Sequence, residues 1–81
     1  MDSALEELKA LKRIKPEDLM PNIQYWLGEV YYAKKDFNQA IIEFGEGLKD
    51  YPDSIKGPDN MLKLGLSFSL VIFFILINIS F

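Results

Sequence analysis

Two short amphipathic stripes, too close in sequence to do anything but fold back on each other, constrain this chain most. They occupy Pro21 to Pro52, PNIQYWLGEVYYAKKDFNQAIIEFGEGLKDYP. Ile23, Trp26, Leu27, Val30 and Tyr31 recur at helical spacing and predict one apolar helix face. Phe37, Ala40, Ile41, Phe44 and Leu48 predict a second. Only a lysine-lysine-aspartate break separates them, and so short a loop joins two helices as an antiparallel hairpin. A hairpin of this kind is one unit of a larger stack, not a finished core.

The chain has 81 residues, enough for one small domain. Domains of this size bury little of their surface and lean on disulfides, metals or partners. With no cysteine and no histidine, disulfides and the usual zinc ligands are removed. Partners or oligomer contacts remain. The net charge of −3 is spread among interspersed acids and bases, and no basic stripe offers a nucleic-acid footprint. Serines occur without histidine, and there is no cysteine nucleophile or glycine-rich phosphate loop. The expectation is therefore no enzyme activity and no cofactor. Glu43, Glu46 and Asp50 read as a solvated face of the second helix, with a weak cation site as the lesser reading.

Flanking segments extend the helical pattern. Residues 3–15 predict a helix capped by Ser3, with Glu6 completing a capping box and Leu5, Leu8 and Leu11 on its apolar side. Three turns are too short to establish coiled-coil heptads, so a plain packed helix is expected. Acids lead and bases trail along it, as the helix dipole favours, and Pro16 ends it. Pro21 suits the first turn of the next helix, and Gly28 within the apolar stripe invites close approach by another helix. Asp36 caps the following helix, with Gln39 as its capping-box partner. Gly45 and Gly47 weaken that helix's last turn, and Tyr51-Pro52-Asp53-Ser54 stops it. Gly57-Pro58 then opens a third helical pattern, with Met61, Leu62 and Gly65 on its inner face, Leu66 and Phe68 beside them and Leu64 on the flank.

The pattern repeats. Leu27-Gly28 returns as Leu64-Gly65, and Pro21 returns as Pro58 at the same spacing. Helix-turn-helix units recurring at about 34 residues are the mark of tetratricopeptide (TPR) arrays. With Pro21 as first position, Leu27, Gly28, Tyr31, Ala40, Phe44 and Pro52 fall on the signature positions of one complete repeat. Gly47 stands where a small alanine is usual, and Trp26 is displaced from the signature tryptophan. Ala4, Leu8, Leu11 and Pro16 fit the tail of a preceding repeat. The chain therefore resembles an all-α TPR fragment, an α-solenoid piece of antiparallel helix hairpins. Residues 1–16 supply a partial second helix, 21–54 a complete unit, 58–69 the first helix of a following unit, and 70–81 an apolar tail.

The wording YWLGEVYYAKKDFNQAI and FGEGLKDYPDSIKGPDNMLKLGLSF is similar to the C-terminal TPR domain of the periplasmic, Tol–Pal-associated cell-division coordinator family of Gram-negative bacteria. The expansion Ile55-Lys56-Gly57 belongs to that likeness, which covers roughly residues 4–68. The resemblance implies a protein–protein interaction module of the cell envelope or periplasm, with Tol–Pal components as partners. Members carry a signal peptide and an N-terminal coiled coil. The charged start MDSALEELKALK has no apolar h-region, so the chain reads as a fragment, with a membrane or cytoplasmic location as the alternative. The resemblance also places Asn22, Tyr25, Glu29, Tyr32, Asp59 and Leu62 along a concave peptide groove, followed by Leu66 and Ser69. Tyr25 and Tyr32 can serve there or in packing between repeats. The asparagine and basic clamp that holds a C-terminal carboxylate in some TPR domains is not matched.

After Phe68 the likeness stops. All charged side chains lie in residues 2–63, and the chain then reads SLVIFFILINISF. Three readings compete for it: a membrane span drawn from residues 64–81, a buried helix completing the repeat pair, or a non-native tail of a truncated or frame-disrupted gene. A span would make this a small, C-terminally anchored TPR protein; the third reading would make it a product without function.

Overall fold

Asp36 starts the second helix of the hairpin. Its Oδ1 accepts the Gln39 backbone N–H at 3.3 Å, satisfying one of the donors a helix N-terminus leaves free. Gln39 does not return the favour as a capping box would, because its side-chain amide donates instead to Glu43 Oε2 at 2.8 Å. Across the turn, Lys35 takes a φ of 64°. Its N–H donates to the Tyr32 carbonyl and the Asp36 N–H to the Tyr31 carbonyl, at 3.0 and 2.9 Å. These two bonds form a Schellman closure, with lysine in the left-handed position that glycine usually takes.

The computed structural model describes residues 3–80. Its elements are α1 (Ser3–Ile14), a single 3-10 turn (Glu17–Leu19), α2 (Met20–Ala33), α3 (Phe37–Asp50) and α4 (Gly57–Ser80). No strand occurs among the described residues, and the protein is all-α. Pro21 sits in the first turn of α2, where its missing N–H loses nothing. Lys15 leaves the helix before Pro16 by entering the left-handed region, with φ 56°. Ser3 is already helical, and the residues before it lie outside the described part.

Each helix packs on its chain neighbours: α1 on α2, α2 on α3, α3 on α4. The result is a slab of 46 × 32 × 13 Å, too thin to enclose many side chains. Its core is correspondingly two small clusters. Leu5, Met20, Ile23 and Leu27 join α1 to α2, and Tyr25, Ala40 and Phe44 join α2 to α3. Phe44 is fully buried, which contributes about 1.5–3 kcal/mol. It reaches α2 at Gly28, where an added Cβ would lie 2.8 Å from the ring Cζ and closer still to two other ring carbons. The close approach expected of Gly28 is what the fold uses.

Several expected faces are rotated. Trp26 leaves the stripe of α2 and is 49% exposed. Leu11 and Ile14 are exposed, so α1 holds α2 through Leu5, with Leu8 packed against that cluster. α3 runs through Gly45 and Gly47 to Asp50. On α4 the buried residues are Gly57, Asn60 and Ser67, with Leu64 packed against the Phe44 cluster, whereas Met61 and Leu62 are exposed and Gly65 is open. Gly47 sets that rotation. A Cβ there would lie 2.9 Å from the Asn60 amide, so the glycine leaves a slot that Asn60 fills. The helix then continues unbroken past residue 69 to Ser80 without turning back as a second helix of a pair.

Glu43 is the main correction to the charge pattern. It is buried at 7% exposure, not solvated, because polar partners converge on it from three helices. Gln24, itself buried, donates from Nε2 to the Glu43 carbonyl at 2.9 Å and to Oε1 at 2.8 Å. Lys12 of α1 lies 3.4 Å from Glu43 Oε1 and 2.9 Å from Glu46 Oε2. Burial alone would lower the Lys12 pKa, but its hydrogen bond to Glu46 and the charges of both carboxylates outweigh it and raise it. A buried carboxylate is tolerated only when paired and bonded in this way.

Two glycine substitutions separate packing from propensity. Gly28→Ala is expected to lower stability by about 1–3 kcal/mol, since overpacking against Phe44 exceeds the ~1 kcal/mol helix-propensity gain. Gly45→Ala, with nothing within 4 Å of its added Cβ, is expected to raise stability by up to about 1 kcal/mol. Urea unfolding followed by the fluorescence of Trp26, the single tryptophan, measures both.

Candidate binding face

Helix periodicity places Asn22, Tyr25, Glu29 and Tyr32 along one side of α2. The α4 side chains reach this side over α3. Lys63 Nζ lies 3.0 Å from Glu29 Oε1 and 4.5 Å from the centre of the Tyr32 ring. Lys56, in the turn before α4, lies 4.9 Å from the Tyr25 ring and 5.6 Å from the Trp26 ring. A cation over an aromatic face contributes about 0.5–1 kcal/mol at exposed sites and more when desolvated. The two lysines thus tie the edge of α4 to the aromatic row of α2.

Among the residues expected to line a groove, Tyr25, Glu29, Tyr32 and Asp59 are brought to this one face. Tyr25 is buried, tilted on Phe44 with ring centres 5.8 Å apart and edge-on to Trp26 at 5.6 Å. Tyr32 is half-buried and edge-on to Phe37 at 5.3 Å. Asn22 is half-buried one turn before Tyr25, while Asp59 and Leu62 are exposed on α4. Lys56, Lys63 and Trp26 belong to the same face, although helical register did not select them. A lysine's long stem carries its charge well away from its own Cα.

This face offers amphipathic rings, an ion pair and exposed Trp26, Leu62 and Leu66. Burial pushes the Tyr25 phenol above its ordinary value; the Glu29 and Asp59 carboxylates add to the rise and Lys63 opposes it. Elsewhere, a cleft of about 550 Å³ is lined by Lys12, Lys15, Met20, Gln24, Glu46 and Tyr51 among others, with Lys12 and Glu46 paired in its wall. No group of three His, Cys, Asp or Glu side chains among the described residues is arranged to hold a metal ion. Compared with known proteins, the chain matches no family model, no curated protein and no solved structure.

The raised Tyr25 pKa has a sign that can be measured. A group that holds its proton more tightly when folded adds stability below its unfolded pKa and loses it as pH rises through the folded one. Stability is therefore expected to fall above about pH 10, with Lys12 acting in the same direction. Tyr25→Phe should flatten part of that fall while leaving the packing in place. Urea midpoints from pH 8 to 11 would show it.

Proposed function

We propose that this chain is a non-enzymatic protein-interaction module of the TPR, α-solenoid kind, which holds a protein or peptide segment on its α2/α4 face. One observation carries the reading: side chains of α2 and α4 converge on one side, where Trp26 and Leu62 stay exposed beside a braced row of Tyr25 and Tyr32. Large rings already held by neighbours lose little freedom on binding, which is why such residues dominate binding energy. The resemblance of residues 4–68 suggests the context: the cell envelope or periplasm, with Tol–Pal components as partners. Selection from a displayed peptide library, followed by titration of the selected peptides against the full chain, tests it. Binding is expected to change Trp26 fluorescence, and Leu62→Asp or Tyr32→Ala to weaken it by at least tenfold. Selected peptides that bind both variants as tightly as the parent would remove this face from the reading.

A second reading rests on α4. This helix is long and apolar enough to cross a membrane, by length and composition, and little of it is buried. Its charge-free part from Leu64 to Ser80 spans about 25 Å at 1.5 Å per residue. A span of that length lies at the short end of what crosses a bilayer, where local thinning helps. Retention of the native product in membranes after a carbonate wash is expected if α4 is an anchor, and release would sink that reading.

A further inference from the structure

We propose that α4 pairs with α4 of a second copy in an antiparallel two-fold dimer, with Phe68 of each copy lying over Gly65 of the other. The helix carries two seams. The first faces α3 through Asn60, Leu64, Ser67, Val71 and Phe74, the last stacked on Phe37 with ring centres 6.1 Å apart. The second begins one residue later, turned by about 100°: Met61, Gly65, Phe68, Ile72, Ile75 and Ile79. Its spacing alternates four and three, the a/d pattern of a helix that pairs with another helix. Apart from Gly65, its side chains are 48–76% exposed, and none is charged.

Gly65 makes the seam self-complementary. Gly28 and Gly47 each receive a side chain from the next helix, Phe44 and Asn60 respectively. Gly65 lies in the middle of an apolar seam with nothing within 4 Å of its added Cβ. Gly45 is also open, but it neighbours the charged Glu46 and lies on no such seam. A two-fold axis between Leu66 and Ser67 sets Gly65 opposite Phe68 and Met61 opposite Ile72, twice over. The aromatic-on-glycine contact that joins α2 to α3 would then recur between copies.

Size and charge favour a second copy as the occupant. Five large side chains about half exposed, at roughly 100 Å² each, supply on the order of 500 Å² per copy; Met61, Phe68 and Ile72 meet the other copy's seam, and this register sets Ile75 and Ile79 against its turn at positions 58 and 54. With the flanking Leu76 this reaches about 600 Å² per copy, the low end of specific interfaces. An uncharged seam meets its own copy without repulsion, and antiparallel helices oppose their dipoles favourably. Each copy would give the same patch, as a closed two-fold contact requires. The α2/α4 face is left free, so the dimer stands or falls separately from peptide binding.

Sedimentation equilibrium of the full chain in neutral detergent micelles tests the pairing. A mass of twice 9.3 kDa is expected across protein-to-detergent ratios. The chain has no cysteine of its own, so Met61→Cys and Ile72→Cys chains can be mixed and oxidised. A cross-link is expected in the mixture and not in either variant alone. Gly65→Leu should weaken the dimer at least tenfold with helicity and Trp26 fluorescence unchanged, while Phe73→Ala on another face should leave it intact. A monomer at every ratio would mean that lipid or detergent alone covers the seam and would overturn the proposal. Same-site cross-links, which denote a parallel pair, or undiminished pairing of Gly65→Leu would overturn it equally.

Discussion

The seating of the Phe44 ring on Gly28 is the contact on which the other packing depends. It brings α3 against α2 at a distance that only a missing side chain allows, and so fixes the rotation of α3. One residue earlier, Glu43 is turned toward Gln24 and Lys12, which draws α1 onto the same helix. Three residues later, Gly47 opens the slot that receives Asn60 and orients α4. Glu43, Phe44 and Gly47 thus each carry a contact from α3 to another helix. Larger apolar residues in their place would give more surface to bury but less definition of angle.

The hairpin was legible because its signals agree. The apolar period, the Pro21 start, the Asp36 cap and the short turn all point to α2 and α3. Faces were less legible wherever the buried residue is polar. Asn60 and Ser67 are almost wholly buried on α4 while Met61 and Leu62 face out, so a reading led by hydrophobicity chooses the wrong side. Glu43 was misplaced for the same reason: an acid at helical spacing looks solvated until Gln24 and Lys12 are known to meet it. At the candidate face, the family resemblance placed Tyr25, Glu29 and Tyr32 together, and the period of the helix agrees. Lys56 and Lys63 escaped because contacts made by long cationic side chains do not follow the period of the helix.

The charge-free end of α4 shows how an apolar helix tolerates its few polar groups. Ser67 and Ser69 donate to the carbonyls of Lys63 and Gly65, four residues back, at 2.7 and 2.9 Å. Their hydroxyls are therefore satisfied within the helix and ask nothing of the surroundings. Beyond Val71, every described residue is exposed, so the slab ends in a helix whose apolar surface its own fold leaves uncovered. A patch that large on an isolated chain in water is unusual.

The neighbour-to-neighbour order of the helices also governs how quickly the fold can form. Contacts between consecutive elements close short loops and avoid the entropy of distant pairing. Chains built this way have low contact order and fold in microseconds to milliseconds. The α2–α3 hairpin can form first and template both α1 and α4. The slab would then grow outward from its middle, without a global search.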